Sequence, residues 1–170
     1  MKVLFYLFIF LNIVACGQGF EAKKPAVISE QLAEYVLDFE QTYNAYINFD
    51  VELKSIDNSN AVGKCWRSSN GNRRVEIDSI YFQQHKNDYY SIQQLVFHEL
   101  GHCYFGLDHN SSINNGNPVS IMYPYAFGYT EFYKQNLEYY ISSLIDNRAV
   151  YLKSTNVLSV IECIGEKNEK

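Results

Sequence analysis

The chain has 170 residues, 47% of them hydrophobic and 16% aromatic, with 14 Lys and Arg against 19 Asp and Glu for a net charge of −5. That length and apolar content suit one globular domain with its own core. The acidic balance argues against nucleic acid as a partner, and the sequence shows neither a repeat nor a low-complexity tract.

Met1 to Ala15, MKVLFYLFIFLNIVA, carries one lysine and then an apolar run broken by a single Asn. It is too short to span a bilayer and fits a secretory signal. Ile13-Val14-Ala15-Cys16 resembles a bacterial lipobox. The resemblance implies that Cys16 is lipidated and holds the protein to a membrane by acyl chains alone. It also implies an exported cell-envelope lipoprotein. Gly17, standing where an Asp would mark inner-membrane retention in a Gram-negative cell, points to the outer membrane. Residues 16–25 then form the lipidated end and tether, and residues 26–170 the domain.

Ala26 to Ile47 is expected to be an amphipathic helix capped by Ser29, with Leu32, Tyr35, Val36, Phe39, Tyr43 and Tyr46 at helical spacing. Strands are expected at Asn48–Ile56, Ala61–Arg67 and Arg73–Phe82, separated by the turn-rich runs Asp57–Asn60 and Ser68–Asn72. The last two strands can form a hairpin.

The stretch Ser91–His109, SIQQLVFHELGHCYFGLDH, carries the chemistry, and three of the four histidines fall within its last twelve residues. Ser91 and Gln94 read as a capping box, and Ile92, Leu95, Val96, Leu100 and Cys103 as the buried face of a helix. His98 and His102, four apart, share one face of that helix and can bind one zinc ion. Glu99 can reach water in the ion's open position. Gly106 suits a left-handed helix end, after which the chain can bring His109 back toward the other two.

This pattern resembles the metzincin zinc peptidases, whose motif is HExxHxxGxxH followed by a tight turn with a buried methionine. Ser120-Ile121-Met122-Tyr123-Pro124 is similar to that Met-turn, and most of all to its matrixin form; Met122 lies thirteen residues after His109. One departure stands out. Gly106 and His109 each fall one residue later than the motif requires, and Phe105 and Asp108 occupy the standard places. One extra helical residue would add about 1.5 Å and 100° for the turn to absorb. His109 is the favoured third ligand, because glycine suits the turn and phenylalanine does not; Asp108 is the rival.

The resemblance implies an α+β, zincin-like fold with an N-terminal helix, a small twisted sheet, the zinc helix, the Met-turn and a C-terminal helix. It implies a zinc-dependent endopeptidase in which Glu99 is the general base and an edge strand of the sheet pairs with extended protein or peptide substrate. Asn110–Val119 reads as a polar surface loop with a weak signal for structural calcium, and Tyr123 and Tyr125 as wall residues that can also serve the oxyanion. A helix from Glu131 to Asp146 capped by Thr130 should bury Phe132, Leu137, Tyr140, Ile141 and Leu144. Val157–Ile164 is a strand or a packed tail.

With Cys16 set aside, Cys65, Cys103 and Cys163 allow one bridge in an exported protein. Cys65–Cys103, tying the sheet to the zinc helix, is favoured over Cys65–Cys163. Cys103 points about 100° away from His102 and is not expected to bind metal. Two rival readings remain. One is a zinc peptidase whose third ligand is Glu131 or Glu138. The other is a surface lipoprotein that binds a partner or zinc without turning over substrate; in every reading the chain is expected to be a monomer.

Overall fold

The computed structural model describes residues 24–57, 60–127, 130–151 and 160–164, with only the main chain considered for 147–151 and 160–164. The signal, Cys16 and the tether up to residue 23 lie outside the described residues.

The first helix is shorter than its hydrophobic period suggests. A 3₁₀ turn at Glu30–Leu32 leads into α1 (Ala33–Tyr43), and Asn44 stops it with a left-handed φ of 47°. Val27 to Ser29 are extended and pair with β1 (Asp50–Lys54): Ser29 N donates to Val51 O at 2.9 Å and Val51 N to Val27 O at 2.9 Å. Ser29 Oγ accepts from Leu53 N and does not cap a helix. The edge of β1 thus takes main-chain partners that helical periodicity cannot reveal. Tyr46, placed on the buried face from sequence, lies beyond the helix and is 75% exposed.

β2 (Ala61–Arg67) and β3 (Arg73–Asp78) form the expected antiparallel hairpin, with Cys65 opposite Val75, while β1 runs parallel to β3. The third strand ends four residues earlier than predicted. Asp78 Oδ1 accepts from Tyr81 N at 2.8 Å and starts α2 (Ser79–His85), a helix missed from sequence. Ile80 and Phe82 fit either period; the cap decides between them.

α3 (Tyr89–Leu100) is buried from Ser91 onward and forms the axis of the domain. Its cap is Asp88, which accepts from Ser91 N, so the Ser91–Gln94 capping box does not form. Ser91 Oγ instead lies 3.1 Å from the Tyr81 hydroxyl. α1 packs on α3 in the core, with the Phe39 and Phe97 rings edge to face at 5.2 Å.

The Asn110–Val119 loop holds a two-residue hairpin, β4 (Ile113–Asn114) with β5 (Asn117–Pro118). The single C-terminal helix expected from sequence is two: α4 (Thr130–Gln135) and α5 (Leu137–Tyr151). Thr130 is the first helical residue, and Asn136 N–H at the break is shared between Phe132 O and Tyr133 O. Tyr133, absent from the predicted stripe, is fully buried and donates to Gln93 Oε1 at 3.3 Å.

β6 (Val160–Ile164) completes the sheet, whose order is β1-β3-β2-β6. The coarse class is α+β, as the resemblance implied. Cys65 and Cys103 are bridged, with Cα atoms 5.5 Å apart and a sequence separation of 38. In the chain-entropy account, closing such a loop disfavours the unfolded state by about 4 kcal/mol. Cys163 is outside the bridge and faces Gly63 across the β2–β6 ladder. Among the described residues no helix is long and apolar enough to cross a membrane.

Candidate metal centre

The three histidines named from sequence come together. Their ligand atoms lie within 4.8 Å of one another, with His98 and His102 fully buried and His109 half-buried. His98 is on the last turn of α3, and His102 is in the next turn, where Gly101–Phe105 widens into a π-helix. This wide turn absorbs the extra residue that separates the chain from the standard motif spacing. A π turn closes its hydrogen bonds one residue later than an α turn, so it takes up an insertion without rotating the residues beyond it. Gly106 then ends the helix at φ 76°, and Leu107 N bonds back to Gly101 O at 3.2 Å. That closing bond requires a left-handed residue, which glycine adopts without a Cβ penalty.

Main-chain carbonyls orient the first two rings. His98 Nδ1 donates to Ile121 O at 2.7 Å, and His102 Nδ1 to Leu107 O at 2.5 Å. A carbonyl oxygen can only accept, so each Nδ1 carries the proton and each Nε2 presents a lone pair. His102 Nε2 nevertheless lies 2.9 Å from His98 Nε2, which is 3.3 Å from His109 Nε2. Lone pairs at that range repel unless a cation sits between them. Ligand nitrogens about 2.05 Å from a tetrahedral zinc are about 3.3 Å apart, close to the spacing seen.

Burial, above all, keeps the rings neutral. It pushes His98 down to about 3, against the opposing pull of its bond to Ile121 O. His102 is held well below the ordinary histidine value by burial and by His98 beside it. His109 is also lowered by burial, while the Asp108 charge works the other way. In each case the unfolded chain takes up a proton more readily than the folded one. The metal-free fold should therefore lose stability as pH falls below 6.5, the unperturbed value, with the His98 contribution running down to about 3. Urea midpoints of the metal-free chain from pH 7.5 to 4 should decline steadily; a flat series would contradict this.

The turn expected at Ser120–Pro124 forms and packs against the helix between His98 and His102. Tyr123 N bonds to Ser120 O, Met122 N to Ser120 Oγ, and Met122 is 1% exposed. Met122 Sδ faces Gly101, where an added Cβ would lie 2.6 Å from it. The turn also supplies the carbonyl of Ile121 that orients His98, a link between the two motifs that neither shows alone. Tyr123 is half-buried and Tyr125 45% exposed, their rings 5.7 Å apart.

Asp108 is exposed and is not one of the residues that converge. Glu131 and Glu138 are exposed too, and neither joins the cluster. The acid-poor Asn110–Val119 loop contributes nothing to a metal-holding group among the described residues.

Glu99 is fully buried, and its carboxylate packs on β2 at Gly63. A Cβ at 63 would lie 2.8 Å from Glu99 Cδ and closer still to Oε1. Sequence reading placed Gly63 in a strand and assigned it no role. A glycine inside a strand, where it costs stability, was the available signal that another group approaches closely. Gly63→Ala should displace the carboxylate while leaving the histidines in place. We expect the urea midpoint to fall by the equivalent of about 1–3 kcal/mol, the usual cost of overpacking, with metal affinity unchanged. A parent-like midpoint would show that the Glu99 position tolerates the shift.

Scans against family profiles, curated proteins and solved structures found no match.

Proposed function

We propose that this protein is a zinc-dependent endopeptidase. The observation that carries the reading is the approach of the lone-pair-bearing Nε2 atoms of His98 and His102 to within 2.9 Å of each other, with His109 Nε2 3.3 Å from His98 Nε2 and the buried Glu99 next in sequence. His98, His102 and His109 would hold the ion. Three imidazoles in a buried, carboxylate-free set favour zinc over calcium or magnesium, which take oxygen donors. Zinc bound by three protein ligands lowers the pKa of water and polarises a carbonyl.

The protein's own groups do the rest. The Ile121 and Leu107 carbonyls fix the tautomer and orientation of His98 and His102, so both rings are set before any ligand arrives. Glu99 takes the proton of the attacking water and returns it to the leaving amine. Its burial against Gly63 limits access of bulk water. Export as a lipoprotein anchored through Cys16 belongs to the same proposal, and the Cys65–Cys103 bridge supports an oxidising compartment. The test is hydrolysis of casein and of a peptide library by the zinc-loaded full chain. Activity should vanish on chelation and return with zinc; a chain that binds zinc tightly but cleaves nothing would leave the non-catalytic reading in its place.

A further inference from the structure

β2 is the strand that meets the centre. Gly63 lies against the Glu99 carboxylate, Cys65 is bridged to Cys103, and a Cβ at Gly106 would lie 3.0 Å from Arg67 Nη1. β3 takes one edge of β2, and β6 takes the other in antiparallel register. Trp66, Cys65, Lys64 and Gly63 face Val160, Ile161, Glu162 and Cys163 in turn. The register then shifts between Ala61 and Gly63, which face the adjacent residues Ile164 and Cys163. Val62 is thus an extra residue, a bulge next to Glu99, where such irregularities re-aim a strand.

An extended peptide docks on a sheet edge by taking main-chain hydrogen bonds from it. To pair with β2, the strand that lies against Glu99, it must use the edge that β3 leaves, and β6 already occupies that edge. We propose that β6 is an intramolecular strap, a stand-in for substrate that holds the centre latent until it is displaced. The proposal rests on the peptidase reading and concerns the regulation of that site. β6 is joined to α5 through residues 152–159. A strand on so short a connection competes at an effective concentration on the order of millimolar. A protein substrate at micromolar concentration is then turned over only in proportion to the undocked fraction. Removal or displacement of β6 would be the activating event.

The experiment uses the zinc-loaded full chain. In an antiparallel ladder alternate residues turn their N–H toward the partner strand. Of the adjacent substitutions Ile161→Pro and Glu162→Pro, at least one therefore strikes a bond to β2 and puts a ring in its place. That variant should raise kcat/KM for an extended peptide by about tenfold or more. In the Glu99→Ala background it should tighten binding of a fluorescent extended peptide by a similar factor. A synthetic peptide of residues 157–166 added in trans should reverse both effects. Glu162→Lys keeps the backbone and sets like charge opposite Lys64; it should give a smaller rise of about threefold, cancelled by Lys64→Glu in the same chain. Parent-like values in all three strand variants, by both readouts, overturn the strap. Tighter peptide binding with no Glu99-dependent cleavage keeps the strap and removes the peptidase reading. Equal Glu99-dependent cleavage by parent and variants does the reverse.

Discussion

Replacing Glu99 by Ala is expected to leave one zinc per chain while kcat for peptide hydrolysis falls by about a thousandfold, within the range that general acid–base groups supply. The two properties separate because Glu99 is not among the converging nitrogens. Its carboxylate lies against Gly63, on the strand side of the helix. Alanine is the best helix former, so the His98–His102 spacing survives, and the substitution removes a buried carboxyl group. Elemental analysis together with casein or peptide-library cleavage reads both properties. Cleavage at the parent rate would take from Glu99 the role assigned to it.

The second expected result separates the two candidates for third ligand. His109→Ala should weaken zinc binding by more than about a hundredfold, since even changes to residues behind the ligands cost ten- to a hundredfold. Asp108→Ala should shift it by less than about threefold. Asp108 is exposed, and its influence on the centre is a screened charge that raises the His109 pKa. Competition against a chromophoric chelator gives both constants. Loss of zinc from the Asp108 variant, with retention by the His109 variant, would reverse the assignment and with it the account of the π turn.

That turn shows where local reading reaches its limit. Helical spacing already places His98 and His102 on one face, and Gly106 already marks the helix end. What spacing cannot say is how one surplus residue is accommodated. An α turn carried one residue further would rotate His109 by about 100°. The chain instead widens Gly101–Phe105, a choice that depends on Leu107 and His102 finding partners in the closing loop. The same limit appears at Asp78 and Asp88. Both cap helices from strand or loop positions, whereas Ser29 and Ser91 had the residue type of caps and found other partners. Ser, Asp and Asn caps are close in preference, and a tertiary contact of a few tenths of a kcal/mol selects among them.

From residue order alone come the three histidines that converge, the tight turn around Met122, the hairpin and the favoured disulfide. Each of these is a short pattern whose period or chemistry is local, or a choice among very few cysteines. The tertiary structure alone decided the packing of Gly63 on Glu99, the Ile121 carbonyl on His98 and the pairing of β6 with β2. Those contacts join residues 23 to 103 positions apart. No periodicity in either segment announces them, because a main-chain carbonyl, a missing Cβ and a free strand edge look the same in sequence wherever they occur.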